Sequence, residues 1–450
     1  MEAGVSEYQR MTSEPVGRLV VSLAIPTVIS MLVSAVYNMA DTFFVAKLGT
    51  SAAAAVGIVL SLMAIIQAIG FTIGMGAGSC ISRLLGAHQP LRAGRFASSA
   101  LLAAIVCGSA LTVCGTLLLD GLMRALGATE TILPHASAYA RYILLAAPVM
   151  CASFVLNNVL RAEGKARLAM VGLMAGGVLN CALDPVFIFS LGMGIAGAAM
   201  ATALSQCVSF SILLSAFLRG RTISPLSPRN VSLSPGVYLQ ILNNGLPSFC
   251  RQGLAGLASV TLNVTASAYG DAAVAGMTIV GKLFMFVYVI VIGIGQGFQP
   301  VAGYNFGALK IARVRAAFIH TLKISSAVMT LCAVAGFALA PALMALFISD
   351  DEAVVAIGAL AIRAQALVMP LVPLGVMCNM TFQSIGKSWT ATLLSTARQG
   401  TFFLPLILLL PRGIGFLGVQ IAQPLADLCT FAVSLPVIVY FFNRLAARHR

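Results

Sequence analysis

The sequence predicts an all-α integral membrane protein with twelve transmembrane helices in two pseudo-symmetric six-helix bundles. Three observations carry that reading. Apolar runs of about 20 residues or more recur along the whole chain, the length a helix needs to cross a ~30 Å hydrocarbon core, without the period-2 alternation of a membrane β-barrel. Basic residues collect in alternate loops. The second half of the chain repeats the first.

Composition supports the lipid-facing class. Of 450 residues, 59% are hydrophobic and only 9% are charged, and the mean hydropathy is +0.98. A soluble globular chain carries about 25% charged residues. The first eighteen residues are polar and the apolar run from Leu19 is too long for a signal-peptide core, so no cleavable signal is expected. The 10 cysteines lie scattered in apolar segments without CxxC spacing, and the 4 histidines form no cluster. The cysteines read as small buried hydrophobes, with neither disulfides nor zinc implied.

Helices are expected at 16–46, 51–80, 94–119, 133–160, 168–190, 194–218, 237–265, 272–304, 313–340, 353–384, 388–410 and 414–443. The breaks between them carry turn residues: Leu48-Gly49, Gly127, and Gly192-Met193-Gly194. The longest internal polar segment, "RGRTISPLSPRNVSLSP", separates the halves. The expected division is a first lobe at 1–222, a linker at 223–236 and a second lobe at 237–450.

The formal charge of +14 is topological. Eighteen of the 27 basic residues fall on the side of the two termini, among them Arg83, Arg92, Arg95, Arg161, Lys165 and Lys310. The opposite loops hold Lys47, Arg124 and Arg412, together with the acids Asp350, Asp351 and Glu352. The positive-inside rule then places both termini in the cytoplasm, for a chain in a prokaryotic cell membrane. Charge sorted in this way meets membrane lipid; it gives no footprint for nucleic acid.

The duplication is gapless over long stretches. At an offset of 221, Pro26, Gly49, Gly76, Gly86 and Arg92 match Pro247, Gly270, Gly297, Gly307 and Arg313. At 222, Arg141, Pro148, Asn157, Gly164 and Lys165 match Arg363, Pro370, Asn379, Gly386 and Lys387. Six helices per half is an even number, so the repeats share one orientation, related by an axis along the membrane normal.

Within the apolar spans stand three acids, Asp41, Asp184 and Asp427. An Asp at a helix centre costs roughly 2.5–3.5 kcal/mol on insertion scales, so it persists where it faces protein or water. The repeat pairs Asp41 with Leu262 and Asp184 with Leu406, so the duplicated scaffold does not require either acid. Asp41 lies eight residues before Gly49 and Asp184 eight before Gly192, while Thr202 lies eight after Gly194. At 1.5 Å per residue, all three sit roughly 12 Å below the same loops. Asn180 shares a face with Asp184, as Ala198 does with Thr202; Tyr139 is slightly shallower. The spacing predicts a polar shell in the outer half of the first lobe. Two carboxylates in such a shell form a coupled proton-binding pair. The same oxygens, with an Asn carbonyl and a Thr hydroxyl, also suit Na⁺. The residues do not choose between the two ions.

These segments resemble the MATE (multidrug and toxic compound extrusion) family. The likeness rests on Pro26 with "ADTFFVAKLG" around Asp41, "LNCALDPVF" around Asn180 and Asp184, "GIAGAAMATALSQ" around Ala198 and Thr202, "GMGAGSCISRLLGA" and "NNVLRAEGKAR". It covers nearly the whole chain and is strongest to the DinF/MepA-like branch. The NorM-like branch carries acids on helices 7 and 10, where this chain is hydrophobic near Leu254–Gly256 and at Leu374. The resemblance implies the two-lobed MATE fold of the MOP superfamily. It also implies antiport exporting small amphipathic, often cationic compounds, with H⁺ or Na⁺ as coupling ion, no cofactor, and a monomer. It assigns ion binding to Asp41, Asn180, Asp184 and Thr202, with Tyr139 beside them and the Ala198 carbonyl as a sodium ligand, and a bend to Pro26. The alternative within the same superfamily is a flippase for lipid-linked precursors, whose relatives have fourteen helices.

Other residues carry weaker expectations. Tyr37, one turn before Asp41, together with Asn157 and Asn379, is a candidate for substrate contact, against a plain packing role. The run "IGFTIGMGAGS" sits mid-span and reads as close helix packing rather than a nucleotide loop. No P-loop and no acid, base or nucleophile constellation is present, so neither a primary pump nor an enzyme is expected. Asp427 lies outside the family motif. Counting depth from the outer loops puts it beside Lys282, and a structural Lys282–Asp427 pair is expected.

Overall fold

The computed structural model describes residues 2–348 and 351–448. Asp350, one of the acids used in the charge assignment, lies outside the described residues. Regular structure among the described residues is entirely helical. Six long helices build the first half: α1 (Val16–Ala46), α2 (Thr50–Gly86), α3 (Pro90–Leu117), α4 (Leu133–Ala162), α5 (Ala166–Pro185) and α6 (Gly194–Leu218). The second half has α7 (Pro235–Ser267), α8 (Asp271–Gly307), α9 (Ile311–Ala345), α10 (Glu352–Ser384), α11 (Ser388–Ile414) and α12 (Phe416–Arg448). Eleven of these are long and apolar enough to cross a membrane. The exception, α7, is 33 residues long but carries Gln240, Asn243, Asn244, Arg251 and Gln252.

Three helices depart from plain α geometry. α5 is continued by a π turn at Val186–Ser190, which begins two residues after Asp184. α11 contains a π segment at Ala397–Phe403, and α10 is interrupted by a 3₁₀ turn at Met369–Leu371, where Pro370 has no N–H to give.

The duplication reappears as repeated geometry. His88 and Leu309, 221 positions apart, are the non-glycine residues with positive φ among the described residues, at 58° and 60°; each closes the end of the second helix of its half. Gly49 and Gly270 share the same kind of loop, with φ of 120° and 97°. Asn157 donates from Nδ2 to the Ala169 carbonyl at 3.0 Å, and Asn379 donates to the Ala391 carbonyl. Both tie the fourth helix of a half to the first turn of the fifth.

By internal contacts the chain forms two compact units, one of residues 1–13 and 25–245, the other of residues 14–24 and 246–450. They differ from the expected division because the starts of α1 and α7 are exchanged. The glycine run explains how. A Cβ on Gly76 would lie 2.0 Å from the Ile241 carbonyl oxygen, so α2 packs backbone-to-backbone on the first turns of α7 within the first unit. A Cβ on Gly297 would lie 2.5 Å from Ala24 Cα, so α8 packs in the same way on the start of α1 within the second. Such close approach is what small residues allow between membrane helices. The unit boundaries at 24/25 and 245/246 fall within two residues of Pro26 and Pro247.

The polar segment between the halves is pinned to the first unit. The Glu163 carboxylate accepts from the Ile223 and Ser224 backbone N–H groups at 2.9 and 2.8 Å. Ser98 and Ser99 accept from Ser227 and Ser232 N–H.

Candidate functional site

The first unit holds a buried acidic shell. Asp41 on α1 is 5% exposed and Asp184 on α5 is fully buried, as are Tyr139 and Ala198. The Tyr139 hydroxyl donates to Asp41 Oδ2 at 3.0 Å. Asn180 Nδ2 donates to Asp184 Oδ1 at 3.3 Å and to Thr202 Oγ1 at 3.1 Å. The two acids act on each other electrostatically, and Tyr139 senses both acids and Thr202. The structure therefore brings together Asp41, Tyr139, Asn180, Asp184 and Thr202, with Ala198 one turn before Thr202 on α6.

Local packing explains why the chain folds this way. Gly176 lets α5 approach α6 until a Cβ would lie 2.9 Å from Ser209 Cβ. Gly177 leaves room for the Tyr37 ring, 3.2 Å from where its own Cβ would stand. These contacts hold α1, α5 and α6 close enough for their polar side chains to meet.

Three oxygens in the shell, Asp41 Oδ1, Asn180 Oδ1 and Asp184 Oδ2, are buried without a hydrogen-bond partner. Neither acid has an ion pair among the described residues. Two uncompensated carboxylates in a buried site attract a cation, a proton or a hard metal ion with oxygen preference. No group of three or more His, Cys, Asp or Glu side chains gathers among the described residues.

Beside the shell lies a cavity lined by Tyr37, Asn157, Phe71, Phe154 and Met31 among others. Tyr37 thus lines this cavity. Asn157 lines it too, but its amide N–H is committed to Ala169. Sequence reasoning missed further polar residues of this cavity, among them Gln67, Ser153, Gln206 and the charged Arg161. The second unit holds a cavity whose lining includes Asn379 and Asp427.

Asp427 corrects the expected pairing. Its basic partner is Arg398, whose Nε donates to Oδ1 at 2.6 Å, and not Lys282, which is exposed. Gln365 Nε2 and Gln423 Nε2 donate to the same carboxylate at 2.6 and 3.0 Å. Depth was counted only from the outer loop. Arg398 lies inside the π segment of α11, deeper below that helix's outer end at Ile414 than Asp427 lies below the start of α12, so matching depths by a straight α-helical rise passes it over.

The sequence profile of the MatE family matches residues 26–186 and again residues 247–408. The chain belongs to the MatE family. The two matches begin 221 positions apart, so each half of this MatE chain is one family repeat. Among curated proteins it is 27% identical to "Multidrug export protein MepA" of Staphylococcus saprophyticus, over 93% of this chain and 92% of that one. Solved structures agree. An "Outward-facing conformation of a multidrug resistance MATE family transporter of the MOP superfamily" matches at a TM-score of 0.92 and 28% identity, covering 98% of both chains. A MOP superfamily transporter from Pyrococcus furiosus, whose "reverse polarity of binding pocket" suggests a different function for it, matches at 0.91 and 28%, again over 98% of each. The relatives of this MatE protein are transporters rather than enzymes, and its helices make it a multi-pass membrane protein.

Proposed function

We propose that this protein is a multidrug efflux antiporter that exports small amphipathic, often cationic molecules in exchange for H⁺ or Na⁺. The observation that carries the reading is the pair Asp41 and Asp184, buried together without a basic partner among the described residues, with one oxygen of each and Asn180 Oδ1 unspent. The likeness to MepA multidrug exporters supports the substrate class.

In this reading the shell holds the coupling cation. Asp41, Asp184, Asn180 and Thr202 supply the oxygens, Tyr139 orients Asp41, and the Ala198 carbonyl adds a ligand when the ion is Na⁺. Cation binding removes the cost of the buried charges, so the shell and the drug compete through a shared electrostatic state. Tyr37 and Asn157 meet the substrate in the neighbouring cavity, and Asn379 does so in the second lobe. Pro26, placed where α1 passes from one compact unit to the other, absorbs the bend that links ion binding to the cavity. The protein works as a monomer of two six-helix lobes, with α7 as the twelfth span and both termini cytoplasmic.

The test is export of a fluorescent amphipathic cation from proteoliposomes, with proton and sodium gradients imposed separately. One of the two gradients drives export. Transport indifferent to both rejects coupling.

A further inference from the structure

The two cavities are related by the internal repeat. Ser30, Gln67 and Gln206 line the first, and 221 positions later Arg251, Tyr288 and Asp427 line the second. At an offset of 222, Gly176 and Gly177 of the first become Arg398 and Gln399 of the second. The first cavity carries one arginine, Arg161, and no acid, whereas the lining of the second carries two arginines and one acid.

That acid is fully engaged. Asp427 receives both arms of Arg398 and an amide from each of Gln365 and Gln423. Arg398 also stands over the Tyr288 ring, 4.3 Å from its centre. Arg251 is left over. It has no ion pair among the described residues, its Nη1 is buried without a hydrogen-bond partner, and Gln399 Oε1 in the same lining is likewise unmatched. A guanidinium inside a membrane span is costly unless something compensates it. Its planar fork fits a carboxylate in two parallel hydrogen bonds.

We propose that the second-lobe cavity is a binding site for the carboxylate of an amphipathic organic acid or zwitterion, with Arg251 as its anchor. Arg398 is a positioning residue: clamped by Asp427, it holds Tyr288 against the cavity and keeps the net charge of the lining positive. The inference rests on the export reading. It extends the substrate range from cations to molecules that carry a free acid.

The experiment uses the full chain in nanodiscs and proteoliposomes of zwitterionic lipid, so that no anionic headgroup competes. The probes are a zwitterionic rhodamine with a free benzoate and its ethyl ester, a net cation. Arg251→Gln is expected to weaken binding of the acid about tenfold or more, the weight of a charged hydrogen bond, and to leave the ester within about twofold. Arg251→Lys restores part of the acid affinity. Equal losses for acid and ester, or an acid affinity that does not change, overturn the proposal. A measurement on the wild type guards against a misfolded variant: benzoate should displace the acid probe while benzamide does not, and equal displacement by both, or by neither, also overturns it. Gradient-driven export of the ester reports on the antiporter reading alone, so an exported ester with an acid insensitive to Arg251 sinks only this inference.

Discussion

The Tyr139 hydroxyl stands 3.0 Å from Asp41 Oδ2, both side chains buried, on helices 98 positions apart in the chain. Among the described residues Tyr139 is the one donor held on Asp41, so it sets how strongly that carboxylate needs a cation. Tyr139→Phe removes a hydrogen bond to a charged group, worth about 1.5–3 kcal/mol. The variant should hold the coupling ion about tenfold or more tightly and turn over more slowly, with unchanged folded yield. Ion-concentration curves for export in proteoliposomes check this.

The second prediction separates Asp427 from Asp41. Asp427→Asn leaves Arg398 buried without its counter-charge, a loss of about 3–5 kcal/mol for a buried pair. Thermal stability in detergent should fall clearly. The double variant Asp427→Asn, Arg398→Gln should recover much of it, and Lys282→Gln should change it little.

A third prediction concerns helix contact. Gly76→Val drives a side chain into the Ile241 carbonyl, whereas Gly57 has nothing within 4 Å of the added carbon. Gly76→Val should sharply lower the yield of monodisperse protein, and Gly57→Val should not. Size-exclusion profiles of the two variants decide it.

Glu163, outside the spans, offers a pH test. Burial pushes its carboxyl above the usual range, against the pull of the Ile223 and Ser224 N–H groups and Lys165. An acid with raised folded affinity for its proton adds stability below its unfolded value of about 4.3, and that contribution is lost as pH climbs through the folded one. Protection of residues 223–234 from hydrogen exchange should therefore decrease as pH rises through that window. Glu163→Gln should remove the pH dependence.

Much of this was readable from spacing. Eight-residue distances from Gly49, Gly192 and Gly194 place Asp41, Asp184 and Thr202 at one level, because a helix converts sequence distance into depth. The same conversion failed for Asp427. Matching depths by a straight α-helical rise passes over Arg398, which sits in a π segment that shifts its facing. The exchange of α1 and α7 between compact units was not legible either, since Gly76 and Gly297 announce close packing without naming the partner. The second cavity's charge was present in the repeat all along: Ser30 against Arg251 and Gly176 against Arg398 are visible once the two halves are aligned.

The central claim is that Asp41 and Asp184 hold the ion that drives export. Asp41→Asn and Asp184→Asn, each purified and reconstituted beside Asp427→Asn, should be compared for uphill export of an amphipathic cation under the driving gradient. The account predicts that both first-lobe variants fold normally, still bind the substrate, and accumulate none of it against its gradient. Uphill export at wild-type level in Asp41→Asn or Asp184→Asn would contradict it.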